Sequence, residues 1–141
     1  MTHDQINDLF KRWLELANRH DIAGVVQLYA ETSVVESPMA GGAVTGRAAH
    51  ADLLKAFWGG IPNFRLTIDE TLIDGHRVTQ VGTMSGTDTG NFMGLPPTGK
   101  PFQVPIVFLF TVADGLIVHE RRIYDFTGLL VQIGVLKAKP V

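Results

Sequence analysis

Two Asp-Gly dipeptides, Asp74-Gly75 and Asp114-Gly115, each stand between runs of β-type residues, and no other feature constrains the fold as tightly. A short hairpin turn needs positive φ, which glycine adopts without steric cost, so each dipeptide predicts an antiparallel reversal. Around them, residues 64–72, 77–85, 102–112 and 116–126 read as four strands of one meander. The chain before Pro62 has a different texture. Ile6, Leu9, Phe10, Trp13, Leu14, Leu16 and Ala17 recur at helical spacing, with Thr2 or Asp4 as cap, and predict an amphipathic helix from Thr2 to about Asn18. Asp21 caps a short second helix that carries Val25, Val26, Leu28 and Tyr29 on its apolar side and ends near Ala30. Ser33 to Glu36 reads as a short strand and Pro38 to Gly42 as a loop. Thr45-Gly46-Arg47 opens a third helix that Gly59-Gly60 and Pro62 stop, and Thr127 to Leu136 closes the chain with a short helical pattern before a basic tail.

Helices followed by a meander imply an α+β domain. A curved, mostly antiparallel sheet must wrap around the N-terminal helices to bury both, which yields a cone with an internal cavity. With 141 residues, 45% of them hydrophobic, the chain has enough material for one such core, and residues 1–141 are read as a single domain. The stretch from Thr87 to Pro101 is too long for a hairpin turn and is apolar at Phe92, Met93 and Leu95, which suits a loop over the mouth of a pocket.

Charge and composition exclude several partners. A net charge of -2 with scattered Lys and Arg offers no basic stripe, so no nucleic-acid partner is expected. No apolar run approaches the length of a membrane span and the N-terminus lacks a signal-peptide pattern, so no membrane partner is expected either. The absence of cysteine permits a reducing compartment, with the cytoplasm as default. His3, His20, His76 and His119 show no metal-ligand spacing, His50 sits among alanines as a core or surface histidine, and the glycine pairs lack a phosphate-loop pattern. No metal and no cofactor are expected.

The segment from Gly115 to Phe126 concentrates charge between apolar residues, as a strand facing something polar would. At a period of two, Glu120, Arg122 and Tyr124 share one face while His119, Arg121, Ile123 and Asp125 share the other.

Nearly the whole chain resembles the nuclear transport factor 2-like superfamily, and within it the SnoaL-like polyketide cyclase and ketosteroid isomerase branches. The resemblance is carried by Ala17 to Ala30, Glu36-Ser37-Pro38, Thr45-Gly46-Arg47, Gly90 to Lys100 and Asp114-Gly115 through Asp125 and Gly128. It implies a homodimer formed through the sheet. It also excludes two mechanisms. Where ketosteroid isomerase carries an oxyanion-hole tyrosine this chain has Trp13, its base aspartate falls on Ser37, and its protonated aspartic acid falls near Val107. Serine is no carboxylate base and valine donates nothing. Limonene epoxide hydrolase uses an Arg-x-Asp pair that is missing around Val81 to Met84, and its last-strand aspartate falls on Arg122.

SnoaL-like cyclases are similar in using a last-strand aspartate to abstract a proton for aldol closure. Asp125 matches one family aspartate, and a second lies three positions earlier, at Arg122. On this reading Asp125 is the base, Arg122 or Tyr124 holds the developing oxyanion, and Glu120 pairs with Arg122. Trp13, Ser37, Met39, Phe92 and Val107 shape a pocket for a small apolar molecule, with Phe57 and Trp58 at its core or rim. Alternatives stand beside these roles: Asp125 caps the closing helix or pairs with Arg121, Glu120 and Arg122 form a structural ion pair, and the fold serves as a non-enzymatic binding or dimerisation module.

Overall fold

The computed structural model describes residues 1–137. Helix α1 (His3–Asn18) starts where Thr2 and Gln5 cap each other. The Gln5 N–H donates to the Thr2 hydroxyl at 3.1 Å and the Thr2 N–H to the Gln5 side-chain oxygen at 2.8 Å, a reciprocal capping box. Of the two candidate caps Thr2 holds the position, and Asp4 lies in the first turn, where its charge suits the helix dipole. The apolar spacing is realised as a buried stripe of Ile6, Phe10, Trp13, Leu16 and Ala17.

Asp21 caps α2 (Ile22–Val26) by accepting from the Gly24 N–H at 2.9 Å. Here the structure departs from the expected helix, because Tyr29 does not extend α2 but opens strand β1 (Tyr29–Ser37). The cause is tertiary. The Ile117 N–H donates to the Leu28 carbonyl at 2.9 Å and Tyr29 pairs with Ile117, so the distant last strand draws this segment out of helix. Between the expected loop, which ends at Gly42, and the expected helix start at Thr45 the chain forms a further strand, β2 (Gly42–Thr45), which pairs antiparallel with β1 from Val34↔Thr45 to Ser37↔Gly42. Helix α3 (Arg47–Gly60) follows as expected, then β3 (Arg65–Asp74), β4 (Arg77–Thr87), a 3₁₀ turn (Phe92–Gly94), β5 (Pro101–Ala113), β6 (Leu116–Tyr124) and α4 (Phe126–Gln132). The basic tail expected after Leu136 lies, beyond Lys137, outside the described residues.

The six strands form one sheet in the order β2-β1-β6-β5-β4-β3, antiparallel except for the β1–β6 pair. On β5 the buried residues Phe102, Val104, Ile106, Phe108, Phe110 and Val112 alternate with more exposed ones, so one sheet face is the core. Bulges curve the sheet around α1 and α3: the β3–β4 register shifts between Ile68 and Glu70, and the β5–β6 register between Thr111 and Val112. Close to the first bulge, a Cβ on Gly82 would lie 1.9 Å from the Thr67 carbonyl oxygen, so the strands approach there only because residue 82 is glycine.

The loop between β4 and β5 is fastened at both ends. The Asp88 N–H donates to the Lys100 carbonyl at 3.0 Å, and the Thr98 hydroxyl lies 3.0 Å from Asp88 Oδ2 and 2.6 Å from the Ile133 carbonyl. Phe92 is buried against Phe57 of α3, with ring centroids 5.4 Å apart, while Met93 and Leu95 point to solvent.

Candidate functional site: an apolar cavity with one polar end

Between α1, α3 and the concave sheet face lies a narrow cavity of about 40 Å³. Its walls are aromatic and aliphatic: Trp13 and Ala17 from α1, Leu54, Phe57 and Trp58 from α3, and Leu66, Met84, Ile106 and Phe108 from the sheet. Trp13 packs edge-on against Phe108 and Phe110 at 5.0 and 5.3 Å, an arrangement that suits the ring quadrupoles. The polar contribution is concentrated in Tyr29, His50, Arg122 and Tyr124.

Behind that polar end the chain buries an ion pair. Glu120 is fully buried on β6, and the Arg122 Nε–H donates to its Oε2 at 2.5 Å. The Tyr29 hydroxyl donates to Glu120 Oε1 and accepts from the Trp13 indole N–H, the latter at 3.0 Å. Both carboxylate oxygens are therefore engaged. Burial acts to neutralise Glu120, but the Arg122 charge and hydrogen bond outweigh it and hold the carboxyl below its usual range; burial likewise opposes the charge on Arg122, which Glu120 keeps protonated. Burial, reinforced by the Glu120 charge, pushes the Tyr29 phenol well above its ordinary value, and burial raises Tyr124, so both stay protonated.

His50 is the remaining member. It lies on α3, fully buried, with its ring 4.5 Å from that of Tyr29 and its Nε2 3.5 Å from the Arg122 guanidinium. Burial lowers its pKa to about 4, so at neutral pH it is uncharged. Its Nδ1 is buried with no hydrogen-bond partner among the described residues.

The expected site residues divide accordingly. Arg122, Tyr124, Trp13, Phe57 and Trp58 meet around the cavity. Glu120 stands behind it as the partner of Arg122. Asp125, expected as the base, is exposed and accepts from the Gly128 N–H at 2.8 Å, capping α4; its carboxylate is outside the cavity because β6 ends at Tyr124. Val107 is corrected as well: it pairs with Val81 and Ile123 on the outer sheet face, and its neighbours Ile106 and Phe108 line the cavity. Phe92 packs behind Phe57 without lining the cavity, and Met39 packs at the edge of the core. Ser37 lines a second, open groove of about 260 Å³ with Glu36, Pro38 and Arg121, and Arg122 and Tyr124 form the wall between the two spaces.

Two site residues escaped sequence reasoning. His50 reads from the sequence as a core or surface histidine, yet it begins the series 50, 54, 57, which is the i, i+4, i+7 spacing of the buried face of α3. Tyr29 carried no local signal, because its place depends on pairing with a strand that begins 87 residues later (Leu116).

Among the described residues no group of three or more His, Asp or Glu could hold a metal ion, and no helix is long and apolar enough to cross a membrane.

The α+β cone is the fold of SnoaL-like and ketosteroid isomerase-like proteins. AclR from Streptomyces galilaeus, provisionally a hydroxylase, is 24% identical with a TM-score of 0.85, over 99% of this chain and 87% of that one. IdmH from Streptomyces antibioticus, provisionally a polyketide cyclase, is 26% identical with a TM-score of 0.78, over 91% and 97%. TerC, whose structure was determined after co-crystallisation with polyporic acid, is 18% identical with a TM-score of 0.77, over 92% and 98%. No curated protein sequence matches the chain significantly. A family model of the SnoaL-like polyketide cyclases matches residues 7–133, and this chain belongs to that family.

Proposed function

We propose that this protein binds a small, apolar carbonyl compound in the cavity and promotes cofactor-independent, aldol-type closure by holding the enolate oxygen. The observation that supports this most is the aromatic cavity ending in Arg122, Tyr124 and His50. Preorganised donors in a water-poor site stabilise a developing oxyanion far better than water does. The planar walls at Trp13, Phe57 and Phe108 suit the hydrocarbon part of such a substrate.

Asp125 does not serve as base in this scheme, since its carboxylate caps α4, and Glu120 is engaged on both oxygens. The substrate is therefore a carbon acid flanked by two carbonyls, acidic enough to lose its proton to solvent once the enolate oxygen is held. A cavity of about 40 Å³ holds only a few water-sized groups, so a ring enters as Trp13, Phe108 or the Arg122–Tyr124 wall gives way. The homodimer implied by the resemblance would use the outer sheet face, which is apolar at Val107, Leu109 and Ile123. A cytoplasmic location accords with the cysteine-free sequence.

One observation favours the rival binding module: no unpaired carboxylate lines the cavity among the described residues. A single experiment separates the readings. Melting temperatures are measured with anthraquinones, steroids and terpenoids, where ligand at about a hundredfold over its Kd adds roughly 2.7 kcal/mol. For each class that shifts the transition, a member with a carbon flanked by two carbonyls and a third carbonyl within reach for ring closure is then incubated with the protein and analysed by chromatography and mass spectrometry. A class-selective rise with conversion to an isomeric or dehydrated product is the expected result. A rise with ligand recovered unchanged supports the binding module, and no rise with any class contradicts the small-molecule site.

A further inference from the structure

The polar end of the cavity is rich in donors, and no carboxylate lines it among the described residues. A guanidinium has five N–H groups; for Arg122, Nε–H goes to Glu120 and one NH2 proton to His50, and the remaining N–H groups have no acceptor among the described residues. The hydroxyl of Tyr29 and the indole N–H of Trp13 are already used in the chain that ends at Glu120. The Tyr124 phenol, beside Ser37 and Met39, retains its proton. The tautomer of His50 follows from its neighbours. Nε2 faces a guanidinium, which can only donate, so Nε2 carries the lone pair and the ring proton sits on Nδ1, the atom that lacks a partner. A buried N–H without an acceptor is costly to maintain, and a ligand oxygen would remove that cost.

We propose that His50 is a neutral hydrogen-bond donor to the bound ligand and that, together with Arg122 and Tyr124, it selects the ionised form of a phenolic or enolic hydroxyl over the neutral form. This rests on the reading of the cavity as a small-molecule site and narrows its ligand class. A neutral hydroxyl brings a proton that no carboxylate lining the cavity can take, whereas its conjugate base brings only lone pairs for the donors, and the proton goes to the buffer. The titratable and charged groups around His50 are Tyr29 on β1 and Glu120 and Arg122 on β6. Tyr29 is neutral and the other two cancel, so the anion meets no net negative charge.

The test uses 4-nitrophenol, whose ionised form absorbs in the visible, and its methyl ether 4-nitroanisole, which cannot ionise. Bound to the wild-type protein, 4-nitrophenol should keep its phenolate band to at least about one pH unit below the free compound, a tenfold preference for the anion. His50→Leu should reduce that preference about tenfold, while His50→Asn, which keeps an N–H close to the Nδ1 position, retains most of it. Nitrogen-15 NMR of the wild-type histidines should show one neutral imidazole protonated on Nδ1. A bound phenol whose ionisation is suppressed, an unchanged preference in His50→Leu, or a His50 protonated on Nε2 overturns the proposal; the wild-type readings decide even where a variant folds poorly. Binding of 4-nitroanisole without any preference for phenolate sinks this inference alone, whereas failure of both probes to bind contradicts the small-molecule site as well.

Discussion

An imidazole held neutral beside a buried ion pair makes stability depend on pH. The unfolded His50 titrates near 6.5 and the folded one near about 4, so in that window the unfolded chain binds more protons. The contribution is intact above pH 6.5, declines as pH falls, and is lost below the folded value, a difference of about 3 kcal/mol. Denaturant unfolding from pH 7 to 4 should therefore show a decline in the wild type that His50→Asn largely abolishes; parallel profiles would mean that His50 is not the group responsible. Glu120, whose carboxyl is held low by Arg122, adds its own loss only at the acid end of this range. Glu120→Gln leaves the Arg122 charge buried without its partner and should cost about 3–5 kcal/mol. Tyr29→Phe strands the Trp13 N–H and one Glu120 oxygen and should cost about 1–3 kcal/mol in the same assay. The sequence showed Glu120 and Arg122 as partners because they are two apart on one strand. It did not reveal that Tyr29 and His50 complete the cluster, since those residues come from elements that meet only in the folded sheet.

At the scale of elements, period-two alternation made the strand faces legible. Glu120, Arg122 and Tyr124 do share the inner face, because the β5–β6 irregularity lies before Glu120 and leaves the rest of β6 in step. The family resemblance alone put Val107 at the cavity; the alternation along β5 puts it on the outer face, since a step of one residue exchanges the two. Asp125 shows how an element boundary decides a role. With β6 ending at Tyr124, the next residue is the N-cap of α4, and a capping carboxylate is aimed at the Gly128 N–H. Asp125→Ala should lower stability by about 1 kcal/mol, Asp125→Asn should nearly preserve it, and neither should change ligand affinity. A large loss of binding or turnover in Asp125→Asn at unchanged melting temperature would return Asp125 to the site. Gly82→Ala tests the curvature directly: its Cβ meets the Thr67 carbonyl, so β3 must move away and the melting temperature should fall.

For the whole molecule, helices followed by a meander sufficed to anticipate a cone, since a curved sheet has to close on something apolar. The width of the cavity was not legible, because it depends on how Trp13, Phe57 and Phe108 interdigitate, which periodicity does not encode. Arg122 and Tyr124 line both the apolar cavity and the open groove, and on the proposed function the ligand oxygen is held on the cavity side of that wall. The most direct measurement is a crystal structure of the protein with the compound that raises its melting temperature most. The expected result is a ligand oxygen within about 3.2 Å of Arg122, His50 or Tyr124 with its rings against Trp13 and Phe108. A ligand seated in the groove beside Glu36 and Arg121, or on the outer sheet face, with the cavity still filled by side chains, would contradict it.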